Sequence, residues 1–101
     1  PKVENTPEIR IDCPDMIKFE VVERFKAYAR GRYDDCVDID GVRFTRGDTW
    51  GLVRPSNTQP VIVLRFEARH RHELEQIEND TRRHLDEIIE SQKLSAGINT
   101  V

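Results

Sequence analysis

The sequence predicts an α+β fold in which helices cover one face of a largely antiparallel sheet. Three observations carry this: a stretch that alternates polar and apolar residues near the start, a central run of short apolar segments divided by turn residues, and one segment of helical periodicity on each side of that run. The alternating stretch is Glu8-Ile9-Arg10-Ile11-Asp12-Cys13, a half-buried strand that ends at Pro14. Ile17, Val21, Phe25 and Tyr28 then recur at spacings of four and three, with Asp15 as the expected N-cap and Gly31 as the expected stop of a helix. Residues 36–39 and 42–45 flank Asp40-Gly41, a dipeptide that supplies the positive backbone angles of a tight hairpin. A second turn falls at Arg46-Gly47-Asp48. Strands are expected at 50–54 and 61–68, the latter apolar on both faces at its start and therefore central. Leu74, Ile77, Thr81, Leu85 and Ile88 mark one face of a closing helix over 71–92, whose other face is crowded with solvated charge.

The chain of 101 residues is one domain's length, and a chain of this size buries roughly two thirds of the surface it exposes when unfolded. With 37% hydrophobic and 35% charged residues, the composition suits a folded domain with a solvated exterior. A membrane partner is excluded by the lack of any apolar run near the roughly 20 residues a spanning helix needs. The net charge of -3 offers no global field for a polyanion, so anion recognition has to come from a local cluster. Cys13 and Cys36 have no metal-ligand or redox-motif spacing and fit reduced thiols of a cytoplasmic protein. The start at Pro1, without initiator Met or signal sequence, predicts a piece of a longer polypeptide. Residues 1–7 have linker composition, 8–92 form the expected domain, and 93–101 are the expected flexible tail.

Chemistry concentrates in Arg54-Pro55-Ser56-Asn57-Thr58-Gln59-Pro60. A phosphate monoester presents three acceptor oxygens and a charge of about -1.5 to -2, so its site needs several donors and a cation. Arg54 supplies a planar fork, Ser56 and Thr58 supply hydroxyls, and Asn57 supplies an amide while tolerating a tight turn. Backbone N–H groups between the two prolines are expected to add an anion nest, and the prolines stiffen the loop. Hydrogen bonds to a charged group contribute about 1.5–3 kcal/mol each, so Arg54 should matter more than either hydroxyl. An ordinary polar turn is the competing reading of the same composition.

Asp40-Gly41-Val42-Arg43, the run from Trp50 through the loop to Pro60, and Val61-Ile62-Val63-Leu64-Arg65-Phe66-Glu67-Ala68 together resemble the C-terminal domain of the α-D-phosphohexomutases, over about residues 7–90. The family's loop pattern of Arg, a variable residue, Ser, Asn or Gly, and Thr is filled throughout, and Asn57 leans toward the phosphomannomutase/phosphoglucomutase branch rather than the phosphoglucosamine mutases. The resemblance implies a TATA-box-binding-protein-like α+β layer. It also implies a four-domain enzyme that interconverts the 1- and 6-phosphates of glucose or mannose through a bisphosphate intermediate and a phosphoserine. Arg54, Ser56, Asn57 and Thr58 are then expected to contact the phosphate that is not reacting. The serine loop, the magnesium-binding aspartates and the sugar-recognising loop are expected in other domains, the chain's natural partners. This domain by itself is expected to hold no catalytic residue, no metal and no activity.

Other candidates are weaker. Asp38 and Asp40 lack the ligand arrangement of a calcium or magnesium loop and are expected as exposed hairpin acids. His70, His72 and His84 are expected at the surface, and Trp50 as a packing residue with sugar stacking as the alternative. Asp34 and Asp35 have no acid–base partner. The same element order suits an RNA-recognition module, but the basic-Gly-aromatic run of such modules is missing, aromatics are 7% and the charge is negative, so no nucleic-acid partner is expected. A protein-interaction module with the loop as a plain connection is the remaining alternative.

Overall fold

The computed structural model describes residues 3–38 and 40–98. They form β1 (Glu4–Asn5), β2 (Ile9–Asp12), α1 (Asp15–Arg32), β3 (Asp35–Val37), β4 (Val42–Arg46), β5 (Thr49–Pro55), β6 (Val61–Ala68) and α2 (Arg71–Ala96). Residues 1 and 2 of the expected linker, 39 of the expected hairpin strand and 99–101 of the expected tail lie outside the described residues.

The sheet is antiparallel at every described pairing, with β6 between β5 on one edge and β1 plus β2 on the other, and β4 and β3 continuing outward from β5. The double edge of β6 explains its sequence: Val61, Ile62, Val63 and Leu64 are all buried. Ile62, Leu64, Phe66 and Ala68 face the helices together with Val42, Phe44 and Val53, against Ile17, Val21, Val22, Phe25 and Ala29 of α1 and Leu74, Ile77, Leu85 and Ile89 of α2. The opposite face carries Arg43, Trp50, Leu52, Arg54, Arg65 and Glu67, and among the described residues no helix lies over it. The α+β plan with both helices on one face is therefore present as expected. Trp50 is half-buried on the open face, with the Arg43 guanidinium 4.3 Å from its ring and its indole N–H donating to Glu67 at 3.3 Å.

Four local details differ from the sequence expectation. Glu4–Asn5, inside the supposed linker, pairs with Ala68 and Glu67. Three residues (6–8) then face two (65 and 66) before Ile9 pairs with Leu64, which is a bulge at Pro7-Glu8. Thr6 stitches the bulge, its N–H donating to the Phe66 carbonyl at 3.0 Å and its hydroxyl accepting the Phe66 N–H at 3.1 Å. Second, α1 is preceded by Pro14 with no side-chain cap, and Asp15, inside the helix, pairs with Lys18 instead. Gly31 stays helical, and the chain turns extended at Tyr33, whose side chain is drawn into the core. Third, α2 continues to Ala96 and ends on Gly97 in the left-handed conformation, into the supposed tail.

The fourth difference is at the hairpin. Val37 opposite Arg43 leaves an odd number of residues, 38–42, between them, so Asp40-Gly41 is not a two-residue turn although both have positive φ. Asp38 is held to α1 by Lys26 at 2.6 Å and by Arg30 at 3.4 Å. The tight two-residue turn is Gly47-Asp48, closed by Arg46 opposite Thr49.

The helices are joined by a buried carboxylate. Asp80 of α2, with 8% of its side chain exposed, accepts from the Tyr28 and Tyr33 hydroxyls of the α1 end, and Arg32 and Arg83 lie 3.7 and 3.4 Å away. Burial acts to raise the Asp80 pKa, but the two tyrosine donors, with Arg32 and His84 nearby, outweigh it and hold the carboxyl below its ordinary value. Burial and the same carboxylate push both tyrosines upward. His84, expected as a lone surface residue, stacks on Tyr28 at 3.8 Å between ring centroids.

Because the folded carboxyl is the stronger acid, its contribution to stability is complete above its ordinary value of 3.8 and is lost as pH falls through the lower folded value. Urea midpoints measured from pH 6 down to pH 2 should drop at the acid end, and the drop should shrink in Asp80→Asn. Gly51 tests the core: a Cβ there would lie 2.6 Å from Phe44 and 2.9 Å from Phe66. Gly51→Ala should lower stability by roughly 1–3 kcal/mol in urea titration.

Candidate functional site

Arg54 is the penultimate residue of β5 and projects from the open face of the sheet, across Val63 from Arg10 of β2. Its place depends on Gly41, where a Cβ would come within 2.7 Å of the Arg54 Cβ, so the β3–β4 turn packs directly on the Arg54 backbone. The Arg54 and Arg10 guanidiniums both reach the Glu8 carboxylate, at 3.7 and 3.3 Å. The bulge at Pro7-Glu8 turns Glu8 to this face. Arg10 also donates to the Gln59 side chain at 2.7 Å, which brings a second guanidinium to the loop.

After Pro55 the chain bends through 56–60 and returns as β6. Ser56 is the buried member of the loop. Its hydroxyl accepts the N–H groups of Thr58 at 3.2 Å and Gln59 at 3.1 Å, and its own N–H donates to the Val61 carbonyl at 3.0 Å. These three backbone donors, counted by sequence toward an anion nest, are spent inside the loop. The Ser56 hydroxyl keeps its own proton to donate. Asn57 and Thr58 are exposed at the tip. Below them the Lys18 ammonium donates to the Gln59 carbonyl at 2.9 Å, and the Cys13 N–H donates to the Pro60 carbonyl at 2.9 Å. Burial pushes the Cys13 thiol up to about 11, so it stays a neutral packing group at physiological pH.

The two sides of the loop differ in charge. A cavity of about 350 Å³ on its helix side is lined by Phe19, Glu20, Glu23, Lys26, Asp38 and Asn57 among others, a surface on which carboxylates outnumber the one lysine. An anion would be repelled there and drawn to the side of Arg54 and Arg10. Asp38 is taken up by Lys26 and Arg30, and among the described residues no three His, Cys, Asp or Glu side chains gather as a metal site would need. Of the aromatic residues only Trp50 stands on the open sheet face; Phe44 and Phe66 point into the core. Among the described residues no helix is long and apolar enough to cross a membrane.

Arg54 thus stands half-buried on the open sheet face against Glu8, Asn57 and Thr58 are exposed at the loop tip, and Ser56 lies inside the turn. Sequence reasoning passed over Glu8, Arg10 and Lys18, which reach Arg54 or Gln59 from bulge, strand and helix positions 41 to 49 residues away in the chain. Of these, only Lys18 left a signal, a charge between Ile17 and Val21 on the apolar side of α1.

Fold and loop together define a phosphohexomutase-type α+β domain. The family described as phosphoglucomutase/phosphomannomutase, C-terminal domain, matches residues 8–84. A phosphomannomutase/phosphoglucomutase of Pseudomonas syringae is 47% identical over 74 residues, 73% of this chain and 16% of the relative. The enzyme of the same name from Pseudomonas aeruginosa PAO1 is 43% identical over 81 residues, 80% of this chain and 18% of the relative. A solved phosphoglucomutase/phosphomannomutase family protein from Burkholderia thailandensis superposes with a TM-score of 0.70 at 37% identity, over 87% of this chain and 18% of that one. The chain belongs to the phosphoglucomutase/phosphomannomutase family, as its C-terminal domain, and spans less than a fifth of the length of these relatives.

Removing the Ser56 hydroxyl strands the Thr58 and Gln59 N–H groups. Ser56→Ala should lower stability by about 1–2 kcal/mol and speed amide exchange at Thr58 and Gln59 more than elsewhere in the sheet, as read by NMR.

Proposed function

We propose that this domain grips the non-reacting phosphate of a hexose phosphate within a phosphohexomutase that interconverts hexose 1- and 6-phosphates of glucose or mannose. The observation that carries the reading is the Arg54 fork on the open sheet face, away from the acidic cavity, at the start of a loop whose exposed tip carries the donors Asn57 and Thr58. Arg54 supplies charge and two parallel donors to the phosphate, Asn57 and Thr58 add an amide and a hydroxyl, and the Ser56 hydroxyl donates from within the turn. Family membership and the names of the relatives support this assignment. The phosphoryl transfer, the bisphosphate intermediate and the magnesium belong to other domains of the same chain in this reading, and the enzyme works in the cytoplasm, where Cys13 and Cys36 stay free thiols. The domain alone turns over nothing.

Titrating the labelled chain with glucose 1-phosphate and glucose 6-phosphate should move the amides of residues 54–58 first. Arg54→Ala should weaken that binding roughly 10-fold or more. In a full-length enzyme carrying this domain, the same change should reduce substrate affinity while leaving serine phosphorylation intact. Retained affinity in Arg54→Ala, or an oligonucleotide that shifts the sheet while sugar phosphates shift nothing, overturns the assignment.

A further inference from the structure

Lys18 is a charged residue in a place that favours an apolar one. It lies between Ile17 and Val21 on α1, and only 5% of its side chain is exposed. Burying an ammonium is costly unless its surroundings offset the loss of water. The carboxylate it meets, Asp15 at 2.8 Å, is itself 69% exposed and sits in water. Its other acceptor is the backbone carbonyl of Gln59 at 2.9 Å. That carbonyl already accepts the Val61 N–H at 2.8 Å, so hydrogen-bond satisfaction alone does not call for a lysine there.

What the ammonium adds is restraint and charge. Gln59 follows the exposed pair Asn57-Thr58, and its N–H is held from inside the loop by Ser56. With its carbonyl held from below, the Gln59 peptide is fixed at both ends, and the direction in which Asn57 and Thr58 present their donors is fixed with it. The buried cation also stands behind the loop where water screens it little.

We propose that Lys18 is a positioning residue for anion binding by the loop: its buried ammonium locks the Gln59 carbonyl, holds Asn57 and Thr58 outward, and places a further positive charge behind the phosphate seat. The proposal rests on the reading of the loop as a phosphate seat, and Lys18 itself touches no substrate.

Lys18→Met keeps the length of the stem and removes the ammonium. In this chain, without ligand, ¹⁵N relaxation should show lower order at residues 57–59 in Lys18→Met, with the rest of the sheet unchanged. Inorganic phosphate and glucose 1-phosphate should bind roughly 10-fold more weakly, and Lys18→Arg should recover part of both effects. Lys18→Gln is the second variant should Lys18→Met fail to fold. If the wild-type loop responds to phosphate while the neutral variant binds equally well and loses only thermal stability, Lys18 is a packing residue and the inference falls alone. If neither phosphate moves residues 54–58 of the wild-type chain, the reading of the loop falls, and this inference falls with it.

Discussion

Strand β6 is hydrogen-bonded along both edges, to β5 from Glu67 to Ile62 and to β1 and β2 from Ala68 to Val61, while its inner residues meet both helices. That double pairing is the constraint on which the other features depend. It pairs the strand's backbone N–H and C=O groups on both edges, away from water. It also sets β2 and β5 on either side of Val63, which is why Arg10 and Arg54, distant in sequence, share one carboxylate. The loop enters β6 directly, so a rigid β6 gives the loop a fixed base.

Much of this was legible in the sequence because it is local. Alternation marked β2, helical spacing marked both helices, and the Arg-x-Ser-Asn-Thr run marked the loop. What stayed hidden depended on contacts between distant segments. Pro7 and Asn5 read as linker because proline removes a ladder donor, yet the bulge accommodates Pro7 and the Thr6 hydroxyl takes over a backbone role. The β3–β4 turn departs from a two-residue form where Asp38 is bound by Lys26 across from another element. Gly31 carries no stop signal of its own; α1 continues to where Tyr33 turns inward to Asp80. The chemistry of the loop followed the same division. Its donor types were visible, but the inward role of Ser56, the neighbouring Arg10 and the supporting Lys18 came only from the fold.

Polar groups divide the domain into two regions with different demands. At one end of the helices, Asp80 with Tyr28, Tyr33 and His84 fastens α1 to α2. At the other, Lys18 and the Cys13 N–H fasten the start of α1 to the loop. Helix α1 thus carries a polar anchor near each end with apolar contacts between them, an arrangement that fixes its rotation about its own axis more firmly than apolar burial alone, since side-chain hydrogen bonds have direction.

The bulged edge formed by β1 and β2 has a mechanical meaning as well. Ladder hydrogen bonds lie across the strands, so tension along this segment loads several of them at once rather than one after another. Thr6, bonded twice to Phe66, stands between Val3 and the Glu8 that sits against Arg54. Tension along β1 would therefore load the Thr6–Phe66 pair and the β1 ladder before it displaced Glu8 from the guanidinium.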